Sequence, residues 1–177
     1  MSTQVYSIKH FNNTLDLFNA EKKLYSSKWF MEFGKFGSEV FNSEEKIIYY
    51  ISKKFKFWKW KMVFTIKNND KNLIELISQN NRKTIYSIDI NELTYELKIH
   101  YKKKISIFKN GHKIAEIDES FLEPDFNEFI KLQLLDNKDL EISFLLFSCL
   151  KIGEVEQRTK TIITSQKQLE PNTEPWS

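Results

Sequence analysis

The sequence predicts a mainly β protein, a closed antiparallel β-barrel drawn around one hydrophobic helix near its C-terminal end. Three observations predict it. Runs of alternating apolar and polar residues recur at spacings of about 8–12 residues, the rhythm of a sandwich or a closed barrel. No helix-length insertion separates them, which argues against a parallel α/β sheet. The rhythm then stops at 139–152, where the apolar residues fit no single strand face.

Residues 1–23 are weakly patterned. Phe11, Leu15 and Phe18 stand at roughly helical spacing and predict a short helix there. The period-2 signal begins at Tyr25. LYSSKWFMEF (24–33) reads as a strand, GKFGSEVFNSEEK holds a short strand between turns, and KIIYYISKKFKF (46–57) is a long one rich in Ile, Tyr and Phe. In KFKFWKWKMVFTI the aromatic phase flips after Trp58, from Phe55 and Phe57 to Trp60, Met62 and Phe64. A one-residue slip would turn every side chain to the opposite face, so the chain must bulge or turn near Trp58 and Lys59. The next strand is then 60–67. NNDKN is a turn, 73–78 a strand, QNNRK a turn, and 84–90 a strand; Asn91 and Glu92 turn again. Tyr95, Leu97, Ile99 and Tyr101 alternate against Glu96, Lys98, His100 and Lys102. Ile105 and Ile107 follow, Asn110 and Gly111 form a strong hairpin signal, and 113–117 is the return strand. After the linker ESFLEPD comes a strand over 126–135. The pattern gives roughly ten strands.

In LDNKDLEISFLLFSCLKIGEV the apolar residues from Leu140 to Ile152 cover the whole circumference of a helix. Helix is favoured by length, by few β-branched residues, by Asp136 or Asn137 as N-cap, by Asp139 and Glu141 in the first turn, and by Lys151 before Gly153. A helix apolar on every side must be buried on every side. In a small antiparallel protein the lumen of a barrel offers that. The competing reading adds two strands to a sandwich, with Leu140, Ile142 and Phe144 alternating against Glu141 and Ser143.

The chain has 177 residues, with 15 Phe, 7 Tyr and 4 Trp, ample for one core. Gly (4) and Pro (3) are few, so turns rely on Asn, Asp and Ser. A net charge of +3 does not demand nucleic acid. The lone Cys149 excludes an internal disulfide and any multi-cysteine metal site. No secretory signal is read at MSTQVYSIKHFNN, and no apolar run reaches the ~18–20 residues of a transmembrane helix. The expected location is cytoplasmic.

The stretches KWFMEFGKFGSEVFNSEEKIIYYISKKFKFWKWKMVFTIKNNDKNLIELI, YELKIHYKKKISIFKNGHKIAEID and DNKDLEISFLLFSCLKIGEV together resemble the tubby-like superfamily, and within it the LURP-one-related proteins. The resemblance implies a barrel of about twelve strands around the central helix; the residue pattern places the barrel over about 24–156, the helix at about 138–152 and a polar tail at 157–177. Animal tubby domains bind phosphoinositide headgroups through basic residues on the barrel exterior; none of those positions is carried over here.

Two basic groups are candidate sites. Lys53, Lys54, Lys56, Lys59 and Lys61 interleave with Phe55, Phe57, Trp58 and Trp60, a composition that grips anionic headgroups, with aromatics at the interface. Bases of single-stranded nucleic acid also stack on such rings, but nucleic acid is the weaker expectation. The bland alternative has aromatics filling the barrel and lysines solvating it. Lys98, His100 and Lys102 share a strand face beside Lys103 and Lys104; such lysines also guard strand edges against aggregation. If the two hairpins adjoin, the groups make one patch. His10, His100 and His112 lack metal-ligand spacing. Cys149, among Phe and Leu, reads as an inert core residue. Asp118, Glu119, Glu123, Asp125 and Glu128 lack calcium-loop spacing. No nucleotide-binding or nucleophile motif is present. The expectation is a non-enzymatic binding module without cofactor, its partner an anionic membrane surface or a protein. The alternatives are a lipocalin-like carrier of a small apolar ligand, or an enzyme.

Overall fold

A computed structural model of the chain describes residues 3–70, 72–101, 104–119 and 129–154. The expected tail at 157–177, the expected strand start at 126–128, Lys102, Lys103, Glu123, Asp125 and Glu128 lie outside the described residues.

Twelve antiparallel strands follow one another as a meander: β1 (Gln4–Phe11), β2 (Thr14–Asn19), β3 (Lys22–Glu32), β4 (Lys35–Asn42), β5 (Ile47–Lys56), β6 (Lys61–Asn68), β7 (Leu73–Ser78), β8 (Ile85–Ile90), β9 (Leu93–Ile99), β10 (Lys104–Lys109), β11 (His112–Asp118) and β12 (Phe129–Leu134). Each pairs with its sequence neighbours, and β1 pairs with β12 from Gln4↔Leu134 to Lys9↔Phe129. Closure removes every sheet edge.

The short helix expected in 1–23 is not formed. Phe11, Leu15 and Phe18 span a hairpin instead, whose turn is Asn12, at φ 53°, with Asn13. Its core residues, Tyr6 and Ile8 on β1 and Leu15 and Leu17 on β2, alternate with period 2. The helical spacing was an accident of reading across that turn.

Inward side chains from every wall are buried, among them Ile8, Leu17, Ile66, Leu97, Ile107, Ile117 and Leu132. The lumen they leave is filled by α1 (Leu140–Lys151), preceded by a 3-10 turn at Asn137–Asp139. Phe144, Leu145, Leu146, Phe147, Ser148 and Cys149 are six successive residues, none more than 1% exposed. At 3.6 residues per turn they face every direction, so the helix is sheathed on all sides. Strand and helix side chains form one continuous core. The sandwich alternative is set aside.

Polar contacts fix the helix at both ends. Asp136 caps the 3-10 turn by accepting from the Lys138 amide at 3.0 Å. Asp139 meets Lys109 Nζ at 2.8 Å, and the Glu141 carboxylate accepts from Tyr25 (3.2 Å) and Tyr49 (2.6 Å). At the other end Gly153, with φ +85°, takes the left-handed conformation that stops a helix. Trp29 Nε1–H donates to the Glu154 carbonyl at 3.0 Å. Because the strands alternate in direction, turns after odd-numbered strands gather at the end where the helix leaves. That end carries the candidate site.

Candidate functional site

The β5–β6 hairpin reverses through a 3-10 turn at Phe57–Lys59, and Trp60 follows in the left-handed region at φ 50°, its N–H bonded to the Phe57 carbonyl at 3.2 Å. This is the turn the phase flip demanded. It pushes aromatics outward: Phe57 is 70% exposed, Trp58 100% and Trp60 61%. Phe55, Phe57 and Trp60 cluster with ring centroids 5.6–5.9 Å apart, and Lys83 Nζ lies 4.4 Å over the Phe55 ring. Those rings do not fill the barrel.

Four of the five lysines in this segment surround the cluster. Lys54, Lys56 and Lys59 are exposed and Lys61 is half-buried. Lys56 stands directly opposite Lys61 across the hairpin, and its Nζ is 3.4 Å from Glu75. Like charges facing each other across a strand pair destabilise it, so this pairing does nothing for the fold.

Lys53 belongs elsewhere. It faces inward with Ile51, and its Nζ donates to the Ile152 carbonyl at 2.6 Å, just past the last turn of α1. Burial lowers its pKa, and the Glu154 charge partly offsets that. It holds a helix end and is not available at the surface.

The second basic group is scattered. Lys98 lies on the outer face of β9, 3.5 Å from Glu96 and 4.5 Å over the Phe108 ring. Lys104 is near Asp118 (3.4 Å) and Glu116 (3.7 Å). His100, the residue after β9, is buried, and its N–H donates to the Lys104 carbonyl at 2.7 Å. The two hairpins do not adjoin. β7 and β8 lie between β6 and β9, three strand spacings or roughly 14 Å.

His10, His100 and His112 lie on β1, after β9 and on β11, and among the described residues no group of three His, Cys, Asp or Glu is placed to hold a metal. Cys149 is fully buried, which pushes its thiol pKa well above the ordinary value and keeps it un-ionised.

Sequence reasoning missed the neighbouring tip. On the β3–β4 hairpin Met31 is 61% exposed and Phe33 fully exposed. The signal was there: a Phe-Gly pair occupies a turn that ordinarily takes Asn-Gly.

Fold and site define a class: an antiparallel barrel plugged by its own helix, carrying a basic, aromatic tip at the end where that helix leaves. No protein-family model, curated protein or solved structure matches the chain.

Proposed function

We propose that this chain is a non-enzymatic binding module that docks on an anionic membrane surface, gripping lipid headgroups through Lys54, Lys56, Lys59 and Lys61. What supports the reading is the hairpin itself. It holds four lysines beside four solvent-exposed aromatic rings, and the facing pair Lys56 and Lys61 is one that folding does not require. Lysines near an anionic leaflet contribute about 1 kcal/mol each, and Trp and Phe favour the interfacial layer. The cytoplasmic leaflet, which carries anionic lipids, offers such a surface. The tubby-like resemblance, itself part of this proposal, supports the same choice of ligand. A carrier of small apolar ligands is not proposed, because α1 occupies the lumen.

The test is sedimentation with vesicles of phosphatidylcholine alone, and with added phosphatidylserine or phosphoinositide. The chain should pellet with the anionic vesicles at low salt and release as salt shortens the Debye length from about 10 Å toward 3 Å. Replacing Lys54 or Lys59 by Gln should weaken partitioning about fivefold each. No pelleting with anionic vesicles at low salt sinks the proposal.

A further inference from the structure

We infer that the β3–β4 and β5–β6 hairpin tips enter the interfacial layer of the bilayer together, so that the barrel stands end-on with its helix axis near the membrane normal. This rests on the membrane reading above and adds what an electrostatic grip lacks: an apolar wedge and an orientation.

The two tips are neighbours and stand level. β4 and β5 pair through Phe36↔Lys53. Three residues beyond that line lie Phe33 on one hairpin and Lys56 on the other, each about 10 Å further along the strands. Two strand spacings, again about 10 Å, separate the hairpin centres. Of the twelve large hydrophobic residues exposed among those described, Met31, Phe33, Phe55, Phe57, Trp58 and Trp60 lie on these two tips. Half of the exposed apolar side chains therefore share one corner of one end, which scattered surface residues do not do.

Charge says what covers them. Around the wedge stand Lys35, Lys54, Lys56, Lys59 and Lys61, against Glu32 on the same two tips and Glu75, 3.4 Å from Lys56. A protein core would need those lysines paired. An anionic bilayer accepts them at its headgroups while the rings sit below.

Backbone conformation points the same way. Phe33 and Gly34 form a two-residue turn with φ of 48° and 73°; Asn110 and Gly111 form one with 49° and 80°. The second uses the residue such a turn prefers. The first puts a phenyl ring there, at a left-handed position where bulky residues are strained. The ring there touches only solvent, so no packing offsets the backbone strain. The hairpin is otherwise braced: Phe30 lies over Gly37, where a Cβ would come within 2.8 Å of the ring.

The test uses the full chain, phosphatidylcholine vesicles containing phosphatidylserine, and the same vesicles with brominated acyl chains. Phe33→Asn restores the favoured turn residue, so its melting temperature should equal or exceed the parent's, while vesicle partitioning falls about tenfold. Trp58→Ser, at a ring wholly in solvent, should give a similar fall. Brominated chains should quench the parent's tryptophan fluorescence, and Trp58→Phe with Trp60→Phe should remove that quenching while binding persists. If both loss-of-apolar variants bind as well as the parent and no quenching occurs, the lysines act alone and the wedge is wrong, though the membrane reading stands. If the parent ignores anionic vesicles at low salt, the membrane reading falls as well. Concentration-dependent dimerisation abolished by Phe33→Asn, without vesicle binding, assigns the tips to a second copy and overturns the proposal.

Discussion

Lys53 donates from Nζ to the Ile152 carbonyl at 2.6 Å, while Lys54, one residue on, is exposed to solvent. The carbonyls of a helix's last turn have no partner within the helix, and buried ones lose about 1–3 kcal/mol if left unsatisfied. Lys53→Met keeps the alkyl stem and deletes the donor. It should lower unfolding stability by about 1–3 kcal/mol with an unchanged denaturant slope. Lys54→Met should stay within about 0.5 kcal/mol while weakening vesicle binding. Equal stability losses at the two positions would show that Lys53 has no capping role. In the sequence both residues read as members of one basic row. Alternation along β5 puts them on opposite faces of the strand. What it lacks is which face is inside, because Phe55 and Phe57, the apolar residues of the Lys53 face, rise past the rim into solvent.

The helix is anchored at its entry by an element-level device, Glu141 held by Tyr25 on β3 and Tyr49 on β5. Burial first, and then the Glu141 charge, pushes the Tyr25 pKa up to about 12 from an ordinary 10.0, and Tyr49 is shifted in the same direction by burial and its hydrogen bond to Glu141. Burial likewise raises Tyr86 to about 12. In the unfolded chain these phenols lose their protons near pH 10, whereas the folded chain still holds them, so above that pH the unfolded state binds fewer protons and folding stability falls. The stability is present in full below the unfolded pKa and is lost as pH rises through the folded one. Denaturant midpoints measured from about pH 8 to 11 should therefore decline, and the double variant Tyr25→Phe, Tyr49→Phe should flatten that decline. An unchanged slope would mean the phenols are not held as described. The helix was the most legible element, because an apolar segment with no preferred face has few places to go. The N-terminal strands were the least. The partner that buries β1 is β12, some 125 residues away in sequence, and no local pattern reports that pairing.

At the scale of the whole molecule, closure and filling are one event. Only a short connection separates β12 from α1, so the strand that seals the barrel against β1 also delivers the helix into it. A twelve-residue helix is marginal alone in water, and a barrel of this size without its plug would leave Ile8, Leu97 and Ile117 lining an empty space. Each part is therefore expected to depend on the other for stability. Unfolding should then be a single transition in which far-ultraviolet and tyrosine-fluorescence signals coincide. Native-state hydrogen exchange should report the same opening free energy for the helix amides of Leu145 to Cys149 as for Ile66 on β6 and Leu97 on β9. Phe147→Ala, which removes a wholly buried ring, should lower both sets together by about 3–5 kcal/mol. Helix amides that exchange at a lower free energy while the strands stay protected would mean that the helix leaves the barrel on its own. That would reopen the lumen as a binding cavity and return the carrier reading to consideration. A barrel that opens only as a whole keeps its outer surface rigid, and under the proposed membrane docking the two hairpin tips would act as a preformed wedge rather than as loops that must first be ordered.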